Sequence, residues 1–445
     1  MPLHPADEDV TLCDASRRQF INQAGRGLLA VGVTGGLAAY AADEAQAAPG
    51  ADAWPQQGPT DVKLPEIFAN TEPKKGALPN PQPPEQRVGY AVVGLGHLTL
   101  EEILPAFADA KKARLVALVS GDADKMQKVA RQYGVKPENC YSYQNYDKLK
   151  DNRDVEIIYI VLPNSMHEEY TIRGAKAGKH ILCEKPMANS SKEAQRMIEA
   201  CQKAGKKLMI AYRIQYEPMN RMVKDMARNQ TYGKVKVIDA INCQNQGDPN
   251  QWRHKKALAG GGALPDIGLY CLNTARYILG EEPTEVYAQI HTTPNDPRFK
   301  EVEENVHFQL RFPSGAVANC ATSYGAFNAK RYRVYAERGW FGMDPGFSYH
   351  GLQLERAHAP EPERHEVKEK PSITEKNQFA LELDHMAECV RENKTPYTPG
   401  EEGLQDHRIM EAIYQSAKEN KPVKISTAAA GKLDAFRGSA PSKDS

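Results

Sequence analysis

From residue 88 to residue 211 the chain alternates short apolar runs with amphipathic stretches, and that rhythm leaves few folds open. Apolar runs lie at residues 88–93, 114–119, 157–162, 180–183 and 207–211. Segments of helical character at 101–111, 125–133, 168–177 and 191–204 separate them. Runs this apolar read as strands buried on both faces, and strand–helix–strand repeats close through right-handed crossovers. The reading is a parallel, doubly covered sheet of Rossmann type.

After Tyr212 the rhythm changes. Strand-like runs follow at 235–241, 285–291, 306–312, 316–322 and 332–336, some joined by turn residues such as Pro313-Ser314-Gly315. This predicts a large, mainly antiparallel open sheet with helices on one side. Late helices are expected at 379–392 and 405–419. The fold class expected is an α/β Rossmann domain, 87–211, followed by an α+β domain, 212–425, and a loose tail, 426–445. A length of 445 residues suits two such domains.

The first 86 residues do not fit this pattern. Arg17-Arg18-Gln19-Phe20 precedes a weakly apolar Gly/Ala run and a small-residue site at Ala45-Gln46-Ala47-Ala48. Residues 1–48 therefore read as a twin-arginine export signal, placing the mature protein in the periplasm after folding. Residues 49–86, ending in Pro79-Asn80-Pro81-Gln82-Pro83-Pro84, read as an extended arm, either a flexible linker or a segment lying over a neighbouring subunit or the cofactor. Cys13 lies in the signal. The other seven cysteines show no Cys-x-x-Cys pair, which argues against a disulfide framework and a metal site. With 57 basic and 57 acidic residues, nothing suggests a nucleic-acid partner, and no run after residue 50 suggests a membrane anchor.

The first strand runs into Gly94-Leu95-Gly96-His97-Leu98-Thr99 and then a helix. Gly94 permits the tight turn and Gly96 lets backbone approach a pyrophosphate. Thr99 stands where the third glycine of the fingerprint is expected. Strand two ends in Ser120-Gly121-Asp122 with Lys125 just beyond. A hydroxyl and a cation in place of an acid favour the 2′-phosphate of NADP; the competing view gives Asp122 the acid's task and the cofactor as NAD. Asn164 and His167, after the third long strand, join the candidate cofactor contacts, with His167 equally readable as a helix cap.

Glu184-Lys185-Pro186 follows a buried strand at the sheet's carboxyl edge, with Glu184 and Lys185 also within reach of the cofactor. Gly260-Gly261-Gly262 leads towards Asp266 and Tyr270, four residues apart and hence on one helical face. Oxidising a sugar hydroxyl needs a base, and a tyrosine serves when a cation lowers its pKa. Lys185 is the expected cation, Tyr270 the base, and Asp266 the group that orients a hydroxyl or the lysine. Tyr212, Arg213, Trp252 and Arg253 are second-rank candidates for the sugar pocket.

These residues carry a resemblance. The chain is similar to the Gfo/Idh/MocA oxidoreductase family, from about residue 87 to 423, and within it to the glucose–fructose oxidoreductase subgroup. The matching stretches include Gly89-Tyr90-Ala91-Val92-Val93-Gly94-Leu95-Gly96, Cys183-Glu184-Lys185-Pro186-Met187-Ala188, Tyr216-Glu217-Pro218-Met219-Asn220, and Pro399-Gly400-Glu401-Glu402-Gly403. The resemblance implies a catalytic-site lysine at Lys185, Tyr270 where many relatives carry histidine, and an open sheet used to form a dimer or tetramer. It also implies NADP bound too tightly to leave, with glucose oxidised to its lactone and fructose reduced to sorbitol at the same site. His97-Leu98-Thr99 and residues 346–370 depart from the subgroup pattern, which leaves the acceptor sugar open, a second aldose included. A dehydrogenase or glycosidase-like enzyme using NAD on another carbohydrate, and a non-catalytic sugar or nucleotide sensor, are the other readings.

Overall fold

The computed structural model describes residues 83–360, 365–425, 433–435 and 437–440. The expected export signal, with Cys13, and the proline-rich arm up to residue 82 lie outside the described residues. Six parallel strands form the first sheet: β1 (Val88–Val93), β2 (Ala113–Val119), β3 (Cys140–Tyr141), β4 (Ile157–Ile160), β5 (His180–Glu184) and β6 (Leu208–Ala211). Their order is β3-β2-β1-β4-β5-β6, so the strand order reverses beside β1 and opens a crevice at the carboxyl ends. Every residue of β1 and β4 is buried, as runs without polar alternation require.

The second sheet has nine strands: β7 (Val235–Cys243), β8 (Glu285–His291), β9 (Asn305–Arg311), β10 (Val317–Ser323), β11 (Ala329–Ala336), β12 (Gly339–Met343), β13 (Leu354–His358), β14 (Val367–Glu369) and β15 (Val423–Lys424). Its order is β14-β13-β12-β11-β7-β10-β9-β8-β15, antiparallel throughout except where β10 runs parallel to β7. β9 alternates buried and exposed residues, the signature of a sheet with one solvated face. The helices Leu269–Leu279 and Gly400–Glu419 cover the other face.

The chain then returns to the first sheet. The helix Gln378–Arg391 packs on β2; the Tyr90 hydroxyl donates to Leu383 O at 2.6 Å, and Asp384 accepts from the Lys111 and Lys112 amides. His407 on the last long helix accepts from Ala188 N at 3.0 Å. Helices late in sequence thus buttress the loop after β5.

Two expectations need correction. The stretch expected as one helix over 101–111 opens with a wide turn, Thr99–Ile103, and ends at Asp109. The tail is also not loose throughout. Leu433 is fully buried, Gly438 N donates to Pro396 O at 3.0 Å, and Arg437 places its guanidinium 2.5 Å from buried Glu402. A buried carboxylate needs a counter-charge, and a polar stretch of sequence gives no sign that it will supply one. The seven described cysteines carry free thiols, six of them buried.

Candidate active site

A cleft of about 630 Å³ runs along the carboxyl edge of the parallel sheet and is closed on its far side by the second sheet. The glycine turn forms one end. Gly94 sits at φ +98°, and a Cβ there would meet Val161 O at 2.2 Å, so only glycine fits. A Cβ on Gly96 would meet nothing within 4 Å, leaving the backbone open to a close-approaching group. Thr99, in the place of the third glycine, donates from Oγ1 to Gly94 O at 2.7 Å and ties the turn back on itself. Leu95, His97 and Leu98 complete this end of the cleft.

Ser120, Gly121, Asp122 and Lys125 line the cleft beside that turn. Asp122 caps the helix Ala123–Tyr133 by accepting from Lys125 N at 2.9 Å, and Ser120 Oγ accepts from Asp122 N at 3.1 Å. The carboxylate is therefore committed in part to the helix, while the Lys125 ammonium lies half-exposed 3.9 Å from it. Tyr143, which the sequence reading passed over, packs 3.0 Å from where a Gly121 Cβ would stand and forms a wall here. A glycine cradle beside a hydroxyl, a carboxylate and a lysine fits the phosphates and ribose of a nicotinamide dinucleotide.

At the other end Lys185, Asp266, Tyr270, Arg213, Trp252 and Arg253 come together. Asp266 lies in a wide turn, Leu264–Gly268, and Tyr270 in the helix that continues it. The Lys185 ammonium donates to Asp266 Oδ1 at 3.0 Å and Asp266 O at 2.9 Å. Asp266 Oδ2 accepts from Arg253 Nε at 3.0 Å and from the Tyr324 hydroxyl at 2.6 Å. Burial alone would raise the Asp266 carboxyl; Lys185, Arg253 and the Tyr324 hydroxyl outweigh it and hold the group well below the usual carboxylate range. Burial opposes the charge of Lys185, yet Tyr270, Asp266 and Glu184 raise it above the ordinary lysine value. Asp266 is thus a fixed anion that orients the lysine.

The Tyr270 ring lies beneath two cations, 4.7 Å from Lys185 Nζ and 5.0 Å from the Arg213 guanidinium, measured to the ring centroid. Arg213, ranked second from sequence, is the cation on the phenol oxygen, with Nη2 at 3.1 Å. It is buried and also donates to Gln378 Oε1 at 2.5 Å, Phe347 O at 2.6 Å and Ser348 O at 3.1 Å. That grip brings Phe347 and Tyr349 into the cleft, and neither carried a periodic signal in the sequence. Glu184 faces the cleft and accepts from the Tyr159 hydroxyl at 2.7 Å; burial raises its pKa in spite of that bond. Asn164 lines the cleft and donates to Ala259 O at 2.9 Å, across to the second domain. The Lys185–Pro186 bond is cis.

Two candidates point elsewhere. His167 is fully buried behind the loop after β5, its ring nitrogens 2.9 Å from Leu162 O and Pro186 O, so it braces the loop and does not line the cleft. Tyr212 turns away from the cleft: its hydroxyl donates to Asp406 at 2.6 Å within a buried polar cluster. That cluster holds Arg276 against Glu282 and Asp406, and Arg437 against Glu402.

Fold and site together define a dinucleotide-dependent oxidoreductase of the Rossmann class, with a lysine–aspartate–tyrosine group in the same cleft as the glycine turn. Residues 88–212 match the oxidoreductase family with an NAD-binding Rossmann fold, and residues 220–342 match the Gfo/Idh/MocA C-terminal domain. The chain belongs to the Gfo/Idh/MocA family. It is 30% identical over 344 residues to the D-xylose 1-dehydrogenase [NADP(+)] of Haloarcula marismortui, covering 76% of this chain and 93% of that one. It is 27% identical over 282 residues to the levoglucosan dehydrogenase of Pseudarthrobacter phenanthrenivorans, covering 57% and 71%. Among solved structures, the aldose-aldose oxidoreductase of Caulobacter crescentus, complexed with glycerol, is 44% identical with a TM-score of 0.73, covering 76% of this chain and all of that one.

Proposed function

We propose that this protein oxidises an aldose such as glucose to its lactone and returns the hydride to a second sugar, with NADP held throughout. The observation that carries the reading is the Lys185–Asp266–Tyr270–Arg213 group, facing the same cleft as the glycine turn. Relatives named for sugar oxidation support it. The bound dinucleotide supplies the hydride acceptor and donor. Lys185, fixed by Asp266, donates to a sugar oxygen and orients it. Tyr270 takes the hydroxyl proton as the C–H bond gives up its hydride, and gives that proton back when the second sugar is reduced. Arg213 stabilises the phenol oxygen while it lacks the proton. The sugar loses two electrons and two protons in all, one as hydride and one to Tyr270, and a second sugar carbonyl regains both.

NADP is favoured over NAD by Ser120 and Lys125 together with the commitment of Asp122 to its helix. Export by the twin-arginine route is supported by the Arg17-Arg18 motif, and residence in the periplasm follows from it. Outside the cytoplasm a released cofactor would not be replaced, which favours one that stays and is reoxidised in place. A homo-oligomer is the assembly we propose, and the solvated face of the nine-stranded sheet, with a shallow depression bordered by Asp239, Gln289, His307 and Asn319, supports docking of a second copy there.

Steady-state rates with two sugars and no added nucleotide test the reading. Parallel double-reciprocal lines are expected; intersecting lines, or no rate until NADP is added, would contradict it.

A further inference from the structure

The substrate end of the cleft is out of charge balance. Four cationic side chains, Lys185, Arg213, Arg253 and Lys330, face it against two carboxylates, Glu184 and Asp266. Asp266 is shared between Lys185 and Arg253, and Glu184 interacts electrostatically with both Lys185 and Arg213. Lys330 has no carboxylate within ion-pair distance among the described residues, although it is half-buried.

Lys330 is also fixed in place. It is the second residue of β11 and stands directly opposite Asn242 of β7. The buried Asn242 amide donates to Ile267 O, next to Asp266, and its Oδ1 has no hydrogen-bond partner among the described residues. On its other side, Lys330 O accepts from the Gly346 and Phe347 amides, and Phe347 O in turn accepts from Arg213. Backbone contacts thus tie Lys330 to both flanks of the catalytic group. Gln244, just past the end of β7, also lines the cleft and offers a carboxamide. A half-buried ammonium with no counter-charge, in a cleft of net positive potential, attracts an anion more strongly than an exposed lysine does.

Building on the function proposed above, we infer that one of the two sugars carries an anionic group, a carboxylate or a phosphate, and that Lys330 binds it. The nicotinamide-bearing end of the cleft then reads the reacting carbon, and β11 reads the charged end of the sugar. Lys330 is a specificity-determining residue, with no part in the hydride or proton transfer.

The test has a chemical arm and a binding arm, both on the full chain with the nucleotide it carries. In the first, glucose, glucuronate and glucose 6-phosphate are compared as reductants by the rise in nicotinamide fluorescence. One charged aldose should exceed glucose in kcat/KM by about tenfold or more, the usual weight of a charge-assisted contact, and which of the two wins separates carboxylate from phosphate. In the second, calorimetry compares gluconate, or glucitol 6-phosphate where the phosphate wins, with neutral glucitol. Lys330→Met should erase the preference for the anion in both arms, and Lys330→Arg should keep it. Equal use of glucose and equal binding of glucitol, or an anion preference that survives Lys330→Met, would overturn the inference. Should no sugar reduce the nucleotide while the Lys330-dependent anion preference persists in binding, the proposed chemistry falls and the role of Lys330 stands.

Discussion

Arg213 Nη2 lies 3.1 Å from the Tyr270 hydroxyl, and the same guanidinium holds the carbonyls of Phe347 and Ser348. One buried cation therefore binds the residue assigned to proton transfer and shapes the loop beside it. Replacing Tyr270 by Phe keeps the ring beneath both cations and removes the proton carrier together with one acceptor of Arg213, which keeps its bonds to Gln378, Phe347 and Ser348. Turnover is expected to fall by about 100-fold or more, the range for loss of a positioned general base. Bound nucleotide should be unchanged by absorbance, and unaltered turnover would take Tyr270 out of the mechanism.

Asp266 sits between Lys185 and Arg253 with a side chain that is 16% exposed. Asp266→Ala leaves two poorly solvated cations facing each other. A loss of about 3 kcal/mol in urea unfolding is expected, the order seen when one partner of a buried pair is removed. Asp266→Asn retains an acceptor for one of them and should lose less. Equal, negligible losses in both would show that the cations are solvated well enough without the carboxylate.

Lys125→Ala removes the ammonium in the first turn of the helix after β2 without touching the Asp122 cap, which is made through the backbone. Affinity for NADP should drop roughly tenfold and affinity for NAD should stay, since only the 2′-phosphate contact is lost. Both are measured by retention after dialysis. A parallel drop for the two nucleotides would place Lys125 outside phosphate recognition.

Two buried imidazoles make stability fall in mild acid. His385 accepts from Tyr397 N and His407 from Ala188 N, and burial lowers their pKa to about 4 and about 3. Both values are below the unfolded value of about 6.5. The unfolded chain thus binds more protons below that pH, so stability is full above about 6.5 and declines as pH falls towards 4. Each imidazole contributes roughly 2 kcal/mol to the loss between pH 7 and pH 5. Urea midpoints of the protein and of its His385→Gln and His407→Gln variants at the two pH values check this, and an acid loss no smaller in the variants would contradict it.

The tail gives a sharper structural test. Ending the chain after Ile425 removes Arg437 from Glu402, whose side chain is 0% exposed. An unpaired buried carboxylate should lower stability by about 3 kcal/mol, or cost the protein its fold. An unchanged melting temperature would mean the tail is dispensable.

Much of this architecture was legible in the sequence because burial leaves a periodic trace. β1 and β4 are apolar at every position, and β9 alternates, so both sheet types announce themselves. The glycine turn, Lys185, Asp266 and Tyr270 were legible because each falls at a strand's carboxyl edge or a helix start. Tyr212 and His167 share that placement and yet face inwards, because strand-end position does not fix side-chain direction. Phe347, Tyr349 and Lys330 reach the cleft through loop and cross-strand contacts with Arg213 and Asn242, and such long-range contacts leave no local pattern. The Arg437–Glu402 pair was hidden for the same reason, joining residues 35 positions apart.

The central claim is that one bound dinucleotide shuttles hydride between two sugars at this cleft. The direct measurement uses protein purified without added nucleotide, with nicotinamide fluorescence recorded as sugars are added in turn. An aldose alone should raise the signal by about one equivalent per chain, as a single-site cofactor requires, and a second sugar should return it to the starting level. A chain that carries no nucleotide, or whose nucleotide responds to no sugar, would contradict the claim and leave only the Rossmann architecture in place.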